Sequence, residues 1–549
     1  PRGAPRRPER NCSSGWPNFS PGTPHCRDRR GCTVANGTAV ADPARSEPPV
    51  DWPVFGITAL TLLAVCALIF AAPDRAGTII NGLYDQLTRN FGFLYQWYVI
   101  ALLIFLGYIA FSRHGAIRLG GRDCKPDYST LSWIGMIFCA GVGATLIYWA
   151  VIEWAYYIDS PPLDAAPRST AAIEWAATYG MFHWGPVGWA IFCLPTIAIA
   201  YAFYMRGEPH LRLSSGCLPF LPGGVNSTRG RIIDFIYMVN LIGGSATSLG
   251  LTAPMIAALF AKLSGVPHNF ALEAAVLVVS VMIFAASSWL GLERSFKRLA
   301  DANTWIALTL LGYVLAVGPT LFILHMGTNS LGLMVQDFVR MVTWTDPVKQ
   351  SGFVKSWTVF YWAWWVAYGP FVALFATRIS RGRTLRELIL GLLVFGTLGA
   401  SVFYIVLGNY ALNLELTSVM SVTTLMREHS GAFALGEVLG TLPFASLAMV
   451  GFLVVAAILL ATTYDSASYT LASVASRNIR AGEDPARWNR LFWAIAIGIP
   501  PAALLFVEGG VKVVQSATVV VSLPLLAIGV LLAVSVLRMI REDEASGRI

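Results

Sequence analysis

Apolar runs of about twenty residues recur along the chain from residue 53 to residue 537, separated by short polar connectors. Coiled as a helix rising about 1.5 Å per residue, such a run matches the hydrocarbon thickness of a bilayer. The pattern predicts twelve spans, at 53–72, 93–112, 131–157, 175–205, 232–261, 273–290, 302–325, 353–377, 387–408, 439–475, 491–507 and 514–537. Between the seventh and eighth, Leu331, Leu333, Met334, Phe338, Met341 and Val342 are set among polar residues and predict an interfacial amphipathic helix. Residues 1–50 hold Pro, Gly, Ser and eight Arg without an apolar period, which predicts a disordered tail. The expected fold class is therefore an all-α polytopic membrane protein with twelve transmembrane helices.

Composition agrees. Of 549 residues, 55% are hydrophobic and only 13% charged, too few charges to cover a soluble protein of this size. The net charge of +8 is unevenly placed: nineteen Arg and Lys lie in the loops after spans two, four, six, eight and ten, and nine on the opposite side. That bias predicts cytoplasmic N and C termini and a multi-pass protein of the cell's inner membrane, its basic loops touching membrane lipid. It leaves no basic soluble surface large enough for nucleic acid. None of the eight cysteines forms a Cys-x-x-Cys pair or a zinc-type Cys/His spacing, and Cys66, Cys139 and Cys193 read as packing residues.

The chemistry must lie where polar or irregular residues interrupt the spans, because the bilayer makes them costly. Span three carries Gly141-Val142-Gly143-Ala144-Thr145, a segment that loosens a helix and frees carbonyls or lets another group approach. In span eight, Trp357, Tyr361, Trp364, Trp365 and Tyr368 fall within an arc of about 100° on a regular helix. Span four adds Phe182-His183-Trp184-Gly185-Pro186, Trp189 and Phe192. A quaternary ammonium has no N–H to donate, but its diffuse charge is drawn to ring faces by roughly 0.5–2 kcal/mol per ring. A ring-lined site therefore suits that cation, whereas a primary amine would call for carbonyl and carboxylate acceptors. Span ten holds Thr462-Thr463-Tyr464-Asp465, hydroxyls that either bond back to their own helix or present oxygens to Na+. Glu153 and Asp465 are acids within spans; Glu153 is expected near the outer interface as a gate or structural partner, and His183 as a structural histidine. No clustered nucleophile–base pair or metal-ligand set points to a membrane enzyme, and no filter segment points to a channel.

Together with Gly291-Leu292-Glu293-Arg294 and Arg378-Ile379-Ser380-Arg381-Gly382-Arg383-Thr384, the Phe182–Gly185 motif and the Trp357–Trp365 run resemble the betaine/carnitine/choline transporter family over about residues 52–538. The resemblance implies a LeuT-type inverted repeat and a homotrimer working by alternating access. Two peripheral helices would occupy 51–130, the first repeat 131–326, a periplasmic amphipathic connector 327–352, the second repeat 353–538 and a short C-terminal tail 539–549. It also implies a central substrate site at Trp364, Trp365 and Tyr368 facing Gly141 and Gly143. An outer site would comprise Tyr156, Trp184, Trp189 and Trp364, with Trp357 on the path between them. No cofactor is expected beyond Na+ as coupling ion, at Thr462 and Thr463. Asn303 stands where sodium-independent carnitine exchangers carry Arg, which favours Na+ symport; Thr145 stands where sodium-coupled members carry a third glycine, which favours exchange.

Overall fold

A computed structural model describes residues 49–290, 293–479, 483–504 and 510–549. The expected tail, but for its last two residues, and Gly291-Leu292 lie outside the described residues. Within them the chain is helical. The first helices are α1 (Trp52–Ala71), α2 (Pro73–Phe111), α3 (Thr130–Gly141), α4 (Thr145–Asp159), α5 (Thr170–His183) and α6 (Pro186–Arg206). Next come α7 (Thr228–Ser264), α8 (Phe270–Leu290), α9 (Glu293–Val317), α10 (Thr320–Gln336) and the short α11 (Phe338–Thr343). A π turn, Val354–Val359, leads into α12 (Phe360–Ile379). Two further π turns, Gly391–Phe395 and Tyr404–Gly408, join α13 (Leu385–Leu390), α14 (Gly396–Phe403) and α15 (Asn409–Leu416). The last are α16 (Val422–Glu428), α17 (Gly431–Gly440), α18 (Ala445–Val474), α19 (Arg487–Leu504) and α20 (Gly510–Ala545).

Local chemistry sets many of these limits. Pro opens α1, α2 and α6, where its missing N–H costs nothing. Ser129, Ser169 and Ser227 cap α3, α5 and α7 through their hydroxyls, and Thr384 with Glu387 makes a reciprocal capping box at α13. Gly207 and Gly265, both left-handed, end α6 and α7.

Among the described residues nine helices are long and apolar enough to cross a membrane, or ten if one bent pair is a single span. Two of the twelve expected spans are not among these. The third expected span is broken at Val142–Ala144 into α3 and α4, of 12 and 15 residues, as its glycines foretold. The eleventh, α19, ends at Leu504, where the described residues stop. A further difference concerns the connector. The seventh span ends at Val317 because Gly318-Pro319 cannot continue it, and α10 leaves at 112°. The amphipathic segment therefore begins at Thr320 and runs across the boundary expected at 326/327.

Burial ranks the helices. The most apolar stretch of 18 residues is 94% buried in Val354–Ile379 and 89% in Thr170–Arg206, but 28% in Phe270–Leu290 and 39% in each of α1 and α2. Helices α12 and α6 form the most extensive pairing in the molecule, with α7 and α20 also against α12. The two aromatic-rich segments thus occupy the centre, and α1, α2 and α8 present apolar side chains outward.

Candidate functional site

The centre is built of rings. Trp364 and Trp365 lie nearly parallel, 5.2 Å apart at 7°. Trp184 meets them edge-on, at 5.9 Å and 4.8 Å. Tyr361 stacks beside Trp365 at 5.9 Å and Trp364 at 6.2 Å. Trp184 stands here because α5 stops at His183 and Gly185-Pro186 starts α6, so the ring projects from a helix break. The indole N–H of Trp365 donates to the His183 carbonyl at that break over 2.8 Å. The N–H of Trp364 donates to the Gly244 carbonyl on α7 over 3.3 Å.

Glycines admit these rings. Trp189 is held between Gly141 and Gly396: a Cβ at Gly141 would lie 2.4 Å from the indole and one at Gly396 2.0 Å from it. Gly188 lies under Trp365, 3.0 Å from its ring nitrogen by the same measure. Gly141, Val142, Trp184, Gly188, Trp189, Phe192 and Trp365 line a cavity of about 10 Å³, room for roughly one water. The site is closed in this conformation.

The expected residues fall into three groups rather than two sites. Gly141, Trp184, Trp189 and Trp365 meet at the cavity. Trp364 and Tyr368 face α7 instead, where a Cβ on Gly244 would be 3.8 Å and 3.5 Å from their rings, and Tyr368 also packs on Phe371 at 5.1 Å. Tyr156 and Trp357 pair at 5.2 Å, with Trp149 5.6 Å from Trp357. The outer set of Tyr156, Trp184, Trp189 and Trp364 is therefore not one cluster here. Trp184 touches Trp364 and lines the cavity with Trp189, but Tyr156 lies apart with Trp357. Trp357 lies in the π turn before α12 and nevertheless stacks on Tyr361. A line of rings still joins the groups, from half-exposed Tyr156 through Trp357 to Tyr361, 6.4 Å on. Gly143 meets only Thr145, 3.6 Å from its would-be Cβ.

A sequence profile decides the family. The profile described as BCCT, betaine/carnitine/choline family transporter, matches residues 53–545. The chain belongs to the betaine/carnitine/choline transporter family. It is also 38% identical over 439 residues, 80% of this chain and 91% of the other, to the uncharacterized transporter YeaV of Escherichia coli (strain K12). It is thus a multi-pass membrane protein of a transporter family.

For this family member, the threonines expected at the ion site sit on α18. The Thr462 hydroxyl donates to its own helix at the Ile458 carbonyl, 2.8 Å away, which leaves its oxygen lone pairs as acceptors. Asn303 on α9 is buried, and its side-chain carbonyl oxygen has no hydrogen-bond partner among the described residues. Helix α9 packs against both α18 and α3.

Sequence reasoning missed two features. One is Gly244 on α7, which admits Trp364 and Tyr368; the signal was the Gly243-Gly244 pair inside an apolar span. The other is the setting of Glu153, expected near an interface but fully buried. It accepts from Tyr157 on α4, from Tyr361 on α12 over 2.7 Å, and from Tyr404 at the π turn after α14. A second buried acid, Asp465, accepts from Ser288 over 2.6 Å, and Arg490 donates to the Ser288 carbonyl over 2.7 Å.

Proposed function

We propose that this protein is a secondary active transporter of quaternary ammonium compounds of the betaine, carnitine or choline type, working by alternating access and driven by Na+ symport. The observation that carries the reading is the buried ring cluster of Trp184, Tyr361, Trp364 and Trp365 at the most enclosed part of the molecule. Ring faces are what a trimethylammonium group binds, and each contributes roughly 0.5–2 kcal/mol. The cavity beside the rings is too small for that group, so binding requires the surrounding helices to part. A site closed in one conformation and open in others is what alternating access needs.

In this reading Trp364, Trp365 and Tyr368, with Gly141 and Gly143, form the central site; Trp184 and Trp189 line its flank. Tyr156 and Trp357 mark the path inward. The chain would cross the inner membrane twelve times as an inverted repeat, with both termini cytoplasmic, and assemble as a homotrimer. The charge bias of the loops supports the orientation, and interrupted helices in both halves support the repeat. Sodium-independent exchange is the second reading, favoured by Thr145 at the break between α3 and α4.

The test is uptake into proteoliposomes of betaine, carnitine, γ-butyrobetaine, choline and dimethylsulfoniopropionate. At least one should accumulate with the native chain, and Trp364→Leu should abolish that uptake while the protein still elutes as a folded species. Normal transport by a folded Trp364→Leu variant would overturn the ring-cage reading.

A further inference from the structure

Glu153 is an acid at the heart of an apolar bundle, and its surroundings have one sign. Three tyrosine hydroxyls reach the carboxylate, Tyr361 over 2.7 Å together with Tyr157 and Tyr404. An ionised carboxylate only accepts, and all three hydroxyls can donate to it. Its one ion-pair contact among the described residues is His183, whose Nδ1 lies 3.6 Å from Oε1. That same Nδ1 is 3.0 Å from the Tyr157 hydroxyl, and Nε2 is 3.2 Å from the Thr358 hydroxyl. A neutral imidazole satisfies both contacts, donating from Nδ1 and accepting at Nε2. With Glu153 ionised and His183 neutral, the cluster carries one negative charge, and no Lys or Arg among the described residues pairs with it.

A buried, unbalanced charge is costly and is kept where something uses it. The candidate user is close. Tyr361 bonds Glu153 with its hydroxyl, while its ring packs on Trp364 and Trp365. The Tyr404 ring likewise lies 6.4 Å from Trp184. The carboxylate is thus one tyrosine away from the ring cluster on two sides.

We propose that Glu153 is the specificity-determining charge of the site: its field, acting through the tyrosine shell, favours a ligand of net positive charge over a zwitterion carrying the same trimethylammonium head. The inference rests on the transport reading above and sharpens its substrate class. Ring faces attract the head group of both ligands equally. A fixed negative charge separates them, because a zwitterion's own carboxylate is repelled by it. A unit charge roughly 10 Å away at an effective dielectric of about 20 alters the affinity of a cation by about tenfold. The attraction and repulsion nearly cancel for a zwitterion, which changes by less than about threefold.

The experiment measures binding of tetramethylammonium and of glycine betaine to the purified full chain by calorimetry. Glu153→Gln removes the charge and keeps the shape. Should that variant not fold, Glu153→Leu with Tyr361→Phe and Tyr404→Phe removes the charge together with the two hydroxyls it would otherwise leave unpaired. Glu153→Asp keeps the charge. The expected result is a loss of about tenfold for tetramethylammonium and less than about threefold for betaine in the neutral variants, with the ratio retained in Glu153→Asp. A merely structural role would weaken both ligands together, so equal losses, or none, would overturn the proposal. A folded native chain that binds neither ligand would instead overturn the transport reading beneath it.

Discussion

At the scale of single residues, the site depends on side chains that are absent as much as on those present. Trp189 occupies a slot whose walls are Gly141 and Gly396. A methyl group at Gly396 would lie 2.0 Å from the indole, a distance no pair of atoms tolerates, so the ring must leave its position. Gly396→Ala is expected to cost about 1–3 kcal/mol as an overpacking substitution and to lower the melting temperature in detergent. It should also reduce uptake of whichever substrate the native chain carries. The aromatic half of this site was legible in the sequence, because five rings on one span of an apolar chain have few other uses. Its partners were not. Gly396 and Tyr404 lie in one other span and Gly244 in another, and single glycines or a lone tyrosine in an apolar run carry no sign of what they face. Glu153 was noticed as an acid but placed by counting residues along one helix. Its burial follows from Tyr361 and Tyr404 closing over it, a long-range fact that no local pattern contains.

At the scale of elements, the Arg378–Thr384 motif acts at a distance from the ring cluster. The stretch between α12 and α13 runs beside residues 117–124: Leu119 N–H bonds the Arg383 carbonyl at 2.9 Å, and Gly382 N–H returns to the Leu119 carbonyl at 2.9 Å. Arg383 donates to the Tyr128 carbonyl over 2.8 Å and lies 4.7 Å over the Trp133 ring, and Arg118 donates to the Gly382 carbonyl. The motif ties the end of the ring-bearing helix to the linker that leads into α3. Gly382 makes this possible, with a left-handed φ of 75° and a would-be Cβ 2.3 Å from the Lys125 backbone. Gly382→Ala should therefore destabilise the protein by more than about 1–3 kcal/mol. Thermal unfolding would read this directly, and an unchanged melting temperature would show that the loop is free to move away. Element positions were readable from hydropathy because a span's length and polarity are local. Breaks were readable only where Gly or Pro marked them, as at Gly141–Ala144. The π turns have no residue signature, and the bend at Gly318-Pro319 was passed over because apolar residues continue beyond it.

At the scale of the whole molecule the open matter is what drives transport, and three separate helices bear on it. The break at Val142–Ala144 interrupts the helical hydrogen-bond ladder in the middle of a span, and the Gly143 and Ala144 carbonyls, which accept from Leu146 and Ile147, keep a second lone pair each. On α18, Thr462 gives its hydroxyl proton to Ile458 and keeps lone pairs to offer. On α9, the Asn303 side-chain oxygen is buried without a partner among the described residues, a cost of about 1–3 kcal/mol that a bound cation would offset. Helix α9 packs on both α18 and α3, the helices that carry the threonines and lead into the break. A dehydrated Na+ needs such neutral oxygens to replace its water, whereas an exchanger that works without the ion needs a fixed cation in its place, and Asn303 supplies none. Uptake into proteoliposomes should accordingly fall at least about tenfold when external Na+ is replaced by K+ or N-methylglucamine, the loss expected when the coupling ion worth about 1.4 kcal/mol or more is withdrawn. Thr462→Ala with Thr463→Ala should raise the Na+ concentration needed for half-maximal uptake while leaving the native fold. If uptake proceeds undiminished without Na+, is stimulated by substrate preloaded inside, and ignores the threonine substitutions, the protein is an exchanger, and the loosened segment at Val142–Ala144 serves the substrate rather than an ion.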